Sequence, residues 1–199
     1  MKLEYVGHKP MISYRGVDFS VGKEDKYSYI EPAAQMINFL GEVDTKKSTV
    51  LNVNKVLDES EVFSILYKYR PDFDKFYKSK ISQYTKKMDD EILEVDKQER
   101  LSEVEKDVLK NNLNFMKEYR LQRATNKLVY EELINGCVEL ILKRYIKEID
   151  MPFSISFVHV AESFKTSLAL VSKADAEVEV MLDNGQPYTR LNIKGLDLK

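Results

Sequence analysis

The amino-acid sequence predicts an α+β protein that is mainly helical, with long central helices, an antiparallel helical hairpin, and a small antiparallel sheet drawn from N- and C-terminal segments. Three features predict it. Phe73, Tyr77, Ile81, Tyr84, Met88, Ile92 and Val95 recur at spacings of four and three, the seam of an amphipathic helix. Leu128 to Ile149 is apolar around most of a helical circumference, as a central core helix is. Asn184-Gly185 stands between two alternating segments and is the preferred pair for a two-residue hairpin turn.

Taken in order, the first 21 residues read as β. Val17, Phe19 and Val21 alternate with Asp18 and Ser20, and Met11-Ile12-Ser13-Tyr14 precedes them across Arg15-Gly16, the pattern of a hairpin. A helix is expected from Tyr29 to Leu40, with Pro32 in its first turn and Gly41 as its stop. Thr49–Val53 reads as a short strand. Asp58-Glu59-Ser60-Glu61 is a capping box opening a helix that Pro71 ends. The Phe73–Val95 seam follows. Ser102 with Glu105 is a second capping box, so the chain should turn around Lys97 to Arg100 and begin a new helix. That helix continues to Ile149, with Asn135-Gly136 as a place to kink or split.

After Met151-Pro152, alternation of Phe153, Ile155 and Phe157 fits a strand. Phe153, Phe157, Val160, Phe164, Leu168 and Val171 also fit a helix, so residues 153–160 stay open and a helix is expected over Ala161–Lys173. Counting outward from Asn184-Gly185 pairs Leu182 with Pro187, Val180 with Thr189, Val178 with Leu191 and Ala176 with Ile193, giving the hairpin of residues 176–194. Pro187 has no N–H to offer a further strand, so its strand is expected at an edge. The simplest assembly is a single domain over residues 1–199. Its N- and C-terminal strands would share one sheet packed on the Leu128–Ile149 helix, and residues 72–127 would form the helical hairpin.

Composition narrows the function. The chain has 199 residues, 43% hydrophobic and 32% charged, with 7 Gly and 5 Pro, so it can build a core and has little linker material. Cys137 is alone and cannot form an internal disulfide; in the apolar run Gly136-Cys137-Val138 it reads as a packed thiol. Met1-Lys2-Leu3-Glu4-Tyr5 lacks the apolar run of a secretory leader, and no stretch reaches the length of a spanning helix, so a cytoplasmic, non-membrane protein is expected. His8 and His159 have no ligand-spaced companions. Gly22-Lys23-Glu24-Asp25-Lys26 is not a phosphate loop, and no nucleophile elbow or dinucleotide turn is present. Neither metal nor cofactor is expected, and the sequence leans away from an enzyme. The acidic run Asp89-Asp90-Glu91 with Glu94 and Asp96 lacks calcium-loop spacing and reads as a solvated face.

Charge is segregated along the hairpin. Residues 68–87 carry seven Lys/Arg against Asp72 and Asp74, and residues 108–127 carry five against Glu118. Between them, residues 88–107 carry nine carboxylates against Lys97, Arg100 and Lys106. A reversal near residue 98 would set 87 beside 108 and 68 beside 127, with two basic arms adjacent. Arg120, Arg123 and Lys127 would share a face, and Lys78, Lys86 and Lys87 would lie on the other arm. The leading expectation is a non-enzymatic adaptor or regulatory protein that docks a protein partner, or a second copy, on this hairpin. The alternative is nucleic-acid binding through the basic faces of residues 68–87 and 108–127.

Overall fold

The computed structural model describes residues 2–6, 9–14, 17–20, 27–43 and 57–196. His8 and the expected strand Thr49–Val53 lie outside the described residues. In chain order the elements are β1 (Lys2–Val6), β2 (Lys9–Tyr14), β3 (Val17–Ser20), α1 (Tyr27–Glu42), α2 (Glu59–Tyr69), α3 (Phe73–Asp96), α4 (Glu103–Arg144), β4 (Glu148–Pro152), α5 (Ile155–Val171), β5 (Asp175–Asp183) and β6 (Gln186–Lys194). The class is α+β and mainly helical. No helix among the described residues is long and apolar enough to cross a membrane.

The chain divides into two compact units, Met1–Val21 with Pro71–Leu128, and Gly22–Arg70 with Val129–Lys199. Helix α4 contributes to both. The first unit contains an antiparallel sheet ordered β1-β2-β3, with Leu3 opposite Ile12 and Tyr14 opposite Val17. It also contains the α3–α4 hairpin. Helix α3 ends at Asp96, residues 97–102 turn the chain, and α4 starts behind a capping box. In that box the Ser102 N–H and hydroxyl both donate to the Glu105 carboxylate, and the Glu105 N–H donates to Ser102 Oγ.

The second unit is built on the buried half of α4. Leu133, Ile134, Cys137, Val138 and Ile141 are buried together with Ala33, Met36, Ile37 and Leu40 of α1 and Val160, Phe164 and Leu168 of α5. Gly136 does not break α4. A Cβ there would overlap Ile37 Cδ1, so this glycine makes room for the α1 side chain. Gly41 likewise does not end α1, which runs to Glu42; a Cβ there would overlap the Tyr69 ring and hydroxyl of α2. Helix α1 also starts earlier than expected, which puts Pro32 inside it rather than in the first turn. The end of α1 is held by Arg144, whose guanidinium donates to the carbonyls of Gly41 (2.6 Å) and Val43.

The strands form two sheets rather than one. The second sheet is ordered β4-β6-β5, because the free side of β6 is taken by β4, the segment immediately after α4. The helix that packs on this sheet is α5. The β5–β6 register has Leu182 opposite Pro187, Val180 opposite Thr189, Val178 opposite Leu191 and Ala176 opposite Ile193. Strand β6 is therefore central, not an edge. Pro187 is accommodated because β4 stops at Pro152, opposite Tyr188, one position short of where the missing N–H would be needed. Helix α4 ends at Arg144, earlier than its apolar pattern suggests, where Tyr145 takes a left-handed conformation (φ 51°). Residues 155–171 are helical, with Ser154 Oγ accepting from the Phe157 N–H at 3.2 Å. The apparent strand alternation misleads because Phe153 and Ile155 are exposed while Phe157 is buried.

Candidate interaction surface on the helical hairpin

Three ion pairs run between α3 and α4: Lys110 Nζ to Asp96 at 2.8 Å, Lys117 Nζ to Asp89 at 2.5 Å, and Arg120 to Glu91 at 2.7 Å. Deeper along the hairpin, the Tyr77 hydroxyl and Thr125 Oγ1 are hydrogen-bonded at 3.2 Å. This pairing corrects the expected register. Counting back from Asp96 and forward from Glu103 sets position 89 level with position 110, yet Asp89 meets Lys117. The direction of helical side chains favours a shift of this sense. Each leans toward the N-terminus of its own helix. In an antiparallel pair the tips that meet therefore belong to residues further along both helices than the backbones beside them. The basic stretch of α4 thus reaches the carboxylates near the end of α3, instead of lying as a second bare cationic arm. The hydrogen bond to Asp96 is the main cause that raises the Lys110 ammonium above its ordinary pKa.

The predicted residues divide accordingly. Arg120 is engaged by Glu91. Arg123 is exposed with its guanidinium 5.7 Å from the Tyr119 ring centroid, and Lys127 is exposed. Lys78, Lys86 and Lys87 are exposed on α3. Lys78 and Lys86 line a shallow depression of about 510 Å³ with Tyr77, Ser82 and Thr85, whereas Lys87 falls about 100° further round the helix from Lys86.

The outward face of α4 carries residues that the sequence reading passed over. Val104, Val108 and Phe115 are exposed, Val104 at 73% and Phe115 at 79%. At about 100° per residue they fall on one stripe, half a turn from Lys106, Leu113 and Lys117 on the side turned toward α3. Lys106, Lys110 and Lys117 have largely covered side chains, Lys106 only 13% exposed. Glu105, Asp107 and Glu118 border the apolar stripe and are exposed. Over residues 103–118 the cations are thus drawn inward, and the outer surface is apolar with an acidic rim. The spacings of four and seven between Val104, Val108 and Phe115 were the available signal, interleaved with Leu113 and Leu121, which are less exposed.

No family model, curated protein or solved structure matches the chain.

Proposed function

We propose that this protein is a non-enzymatic adaptor or regulator that docks a protein partner on the α3–α4 hairpin. The partner's contact segment is a basic amphipathic helix. The carrying observation is the outer stripe of α4: exposed Val104, Val108 and Phe115 bordered by Glu105, Asp107 and Glu118. A large exposed aromatic flanked by apolar residues on a regular helix is costly to leave in water and suits an interface centre. The carboxylate rim selects Lys/Arg on the partner and excludes acidic surfaces. Lys117 is occupied by Asp89 of α3 and Lys106 by Glu103, while Lys110 lies between Asp96 of α3 and the rim's Asp107, so the rim keeps its charge mainly at Glu105 and Glu118.

The test pairs affinity capture with light scattering. Full-length protein and a Val108→Glu/Phe115→Glu variant serve as baits, and circular dichroism checks that both are equally helical. The reading requires a captured protein to be lost from the variant and a fragment of it bearing basic amphipathic sequence to bind the wild type directly. If capture is the same with both baits, it fails. A wild-type dimer that becomes monomeric in the variant replaces the heterologous partner with a second copy.

A second reading rests on the depression lined by Lys78, Ser82 and Lys86, two cations and a hydroxyl that could meet phosphate, beside Asp89, whose carboxylate is paired with Lys117. Nucleic-acid binding there would weaken steeply with salt, and Lys78→Ala/Lys86→Ala would flatten that slope by about two units. The inward pairing of Lys110, Lys117 and Arg120 makes this the weaker reading.

A further inference from the structure

We propose that the free edge of β5, in the second unit, binds an extended segment of a partner protein in which apolar residues alternate with Lys or Arg. The segment adds a fourth strand to the β4-β6-β5 sheet.

With β6 in the middle, the sheet ends on β4 and on β5. Strand β4 has five residues and β5 has nine, so β5 is the longer edge. The turn decides which backbone groups of β5 are open. Asn184 and Gly185 both have positive φ, 48° and 80°, and close the hairpin with Asp183 opposite Gln186. In a two-residue hairpin of this kind the closing pair is hydrogen-bonded, and bonded pairs recur at every second position. The N–H and C=O groups of Glu177, Glu179 and Met181 therefore face β6, and those of Ala176, Val178, Val180 and Leu182 face outward. Consistent with this, the Ala176 N–H donates to the Asp175 side chain at 2.8 Å. Among the described residues no strand pairs with the outward set. Such a row is the template to which a further strand adds.

The side chains specify the guest. One face of β5 is Ala176, Val178, Val180 and Leu182. Ala176 is buried and Val178 half-buried, whereas Val180 and Leu182 are 56% and 72% exposed. The other face is Asp175, Glu177, Glu179 and Asp183 around Met181. Glu177 pairs with Lys194 at 2.5 Å. Glu179 accepts from the neutral amide of Asn192 at 2.7 Å, and Asp183 from that of Asn184 at 3.1 Å. Arg190, opposite Glu179, is instead bound to Asp150 of β4 through bonds of 2.6 and 2.7 Å. Lys194 offsets one charge of the four, and the row stays anionic.

A strand laid beside β5 presents its alternate side chains on the same two faces. Apolar residues then meet Val180 and Leu182, and Lys or Arg meets the acidic row. The row disfavours a second copy. Two β5 edges paired antiparallel about Val178 set Glu177 opposite Glu179; paired about Glu179, they set Asp175 opposite Asp183. Like charges in opposite positions destabilise a strand pair. Guarding the edge against self-pairing accounts for the acids alone. It leaves the exposed Val180 and Leu182 unexplained, and an alternating basic guest accounts for both faces.

The experiment follows amide hydrogen exchange of the full chain by NMR during titration with a peptide as long as β5 that alternates valine and lysine. The controls are the valine–glutamate counterpart and the lysine peptide N-methylated along its backbone, which keeps its charge but cannot complete a ladder. Saturable slowing is expected at the Val178, Val180 and Leu182 amides with the lysine peptide and with neither control. Glu179→Lys/Asp183→Lys should weaken the lysine peptide about tenfold and admit the glutamate peptide. Val180→Pro removes no bond to β6 and should abolish binding. The proposal is overturned if the lysine peptide gives no saturable slowing at these amides up to about 1 mM. It is equally overturned if either control slows them as much, if the charge reversal leaves the affinity unchanged, or if Val180→Pro still binds. Unchanged chemical shifts at Leu191 and Ile193 of β6 show that the variants keep the hairpin.

Discussion

Residues 129–144 and residues 103–121 belong to the same helix, α4, and are held by different forces. In the first stretch Leu133, Ile134, Cys137, Val138 and Ile141 are buried against α1 and α5. In the second, Val104, Val108 and Phe115 face outward, and the contact with α3 is edged by the Lys110–Asp96, Lys117–Asp89 and Arg120–Glu91 pairs. Close packing is insensitive to salt and intolerant of changed volume. Exposed ion pairs are screened by salt and individually weak. One continuous helix therefore has one end held by close packing and one end whose contacts are edged by salt-sensitive ion pairs.

The largest effect should come from the packed end. Leu133 is fully buried, and Leu133→Ala should destabilise the protein by about 2–5 kcal/mol through lost burial and a residual cavity, measured by urea denaturation. A cost below about 1 kcal/mol would place Leu133 among surface positions and erase the contrast between the two ends of α4.

Next in size is Gly136. Gly136→Ala adds helix propensity worth about 1 kcal/mol but forces a methyl into Ile37 Cδ1, an overpacking cost of about 1–3 kcal/mol. A net loss of about 1 kcal/mol is expected. Ile37→Val removes the obstructing methyl, so its own cost should shrink in the Gly136→Ala background. Denaturation of the two single variants and the double variant measures this coupling. Strict additivity would show that the helices do not touch there.

These two positions also show what the sequence could and could not reveal. The helical seam of α3, both capping boxes and the β5–β6 register follow from local rules, since spacing, a cap residue or a turn pair suffices. Gly41 and Gly136 look like helix punctuation in one dimension; their actual role depends on Tyr69 and Ile37, which are distant in sequence. Strand β4 was hidden because Ile149 and Met151 extend the apolar pattern of α4, and the helix ends at Arg144 with the left-handed Tyr145 after it and no glycine to mark it. At the hairpin, the charge blocks were plain but their pairing was not. Which cation meets which carboxylate depends on the packing of the two helices, which sets Lys110, Lys117 and Arg120 in ion pairs rather than on an open surface.

The ion-paired end should respond differently. A double-mutant cycle on Lys117 and Asp89, both to Ala, should give a coupling of about 0.2–1 kcal/mol. It should fall further at 1 M salt, where the screening length is about 3 Å. Leu133→Ala should keep its full cost in the same buffer. Equal salt response at both ends would remove the distinction between them.

The smallest effect belongs to the turn that joins α3 to α4. Bonds from the Ser102 hydroxyl and N–H hold the Glu105 carboxyl below its ordinary pKa of 4.5. A carboxyl depressed in the folded state contributes its stabilisation in full above the ordinary value and loses it as pH falls through the depressed one. Amide hydrogen exchange at residues 102–106 should therefore quicken as the solution is taken from neutral pH below pH 4.5, after correction for the intrinsic pH dependence of exchange. The buried amides of residues 133–141 should not follow, since nothing in their packing titrates in that range: the Cys137 thiol, the one titratable side chain among the buried residues there, is pushed well above its ordinary value by burial. Glu105→Gln should give the turn its acid-form exchange already at neutral pH and remove the dependence. An equal acid response in Glu105→Gln would assign the opening to other carboxylates of the hairpin, with Asp89, Glu91 and Asp96 the next to be changed.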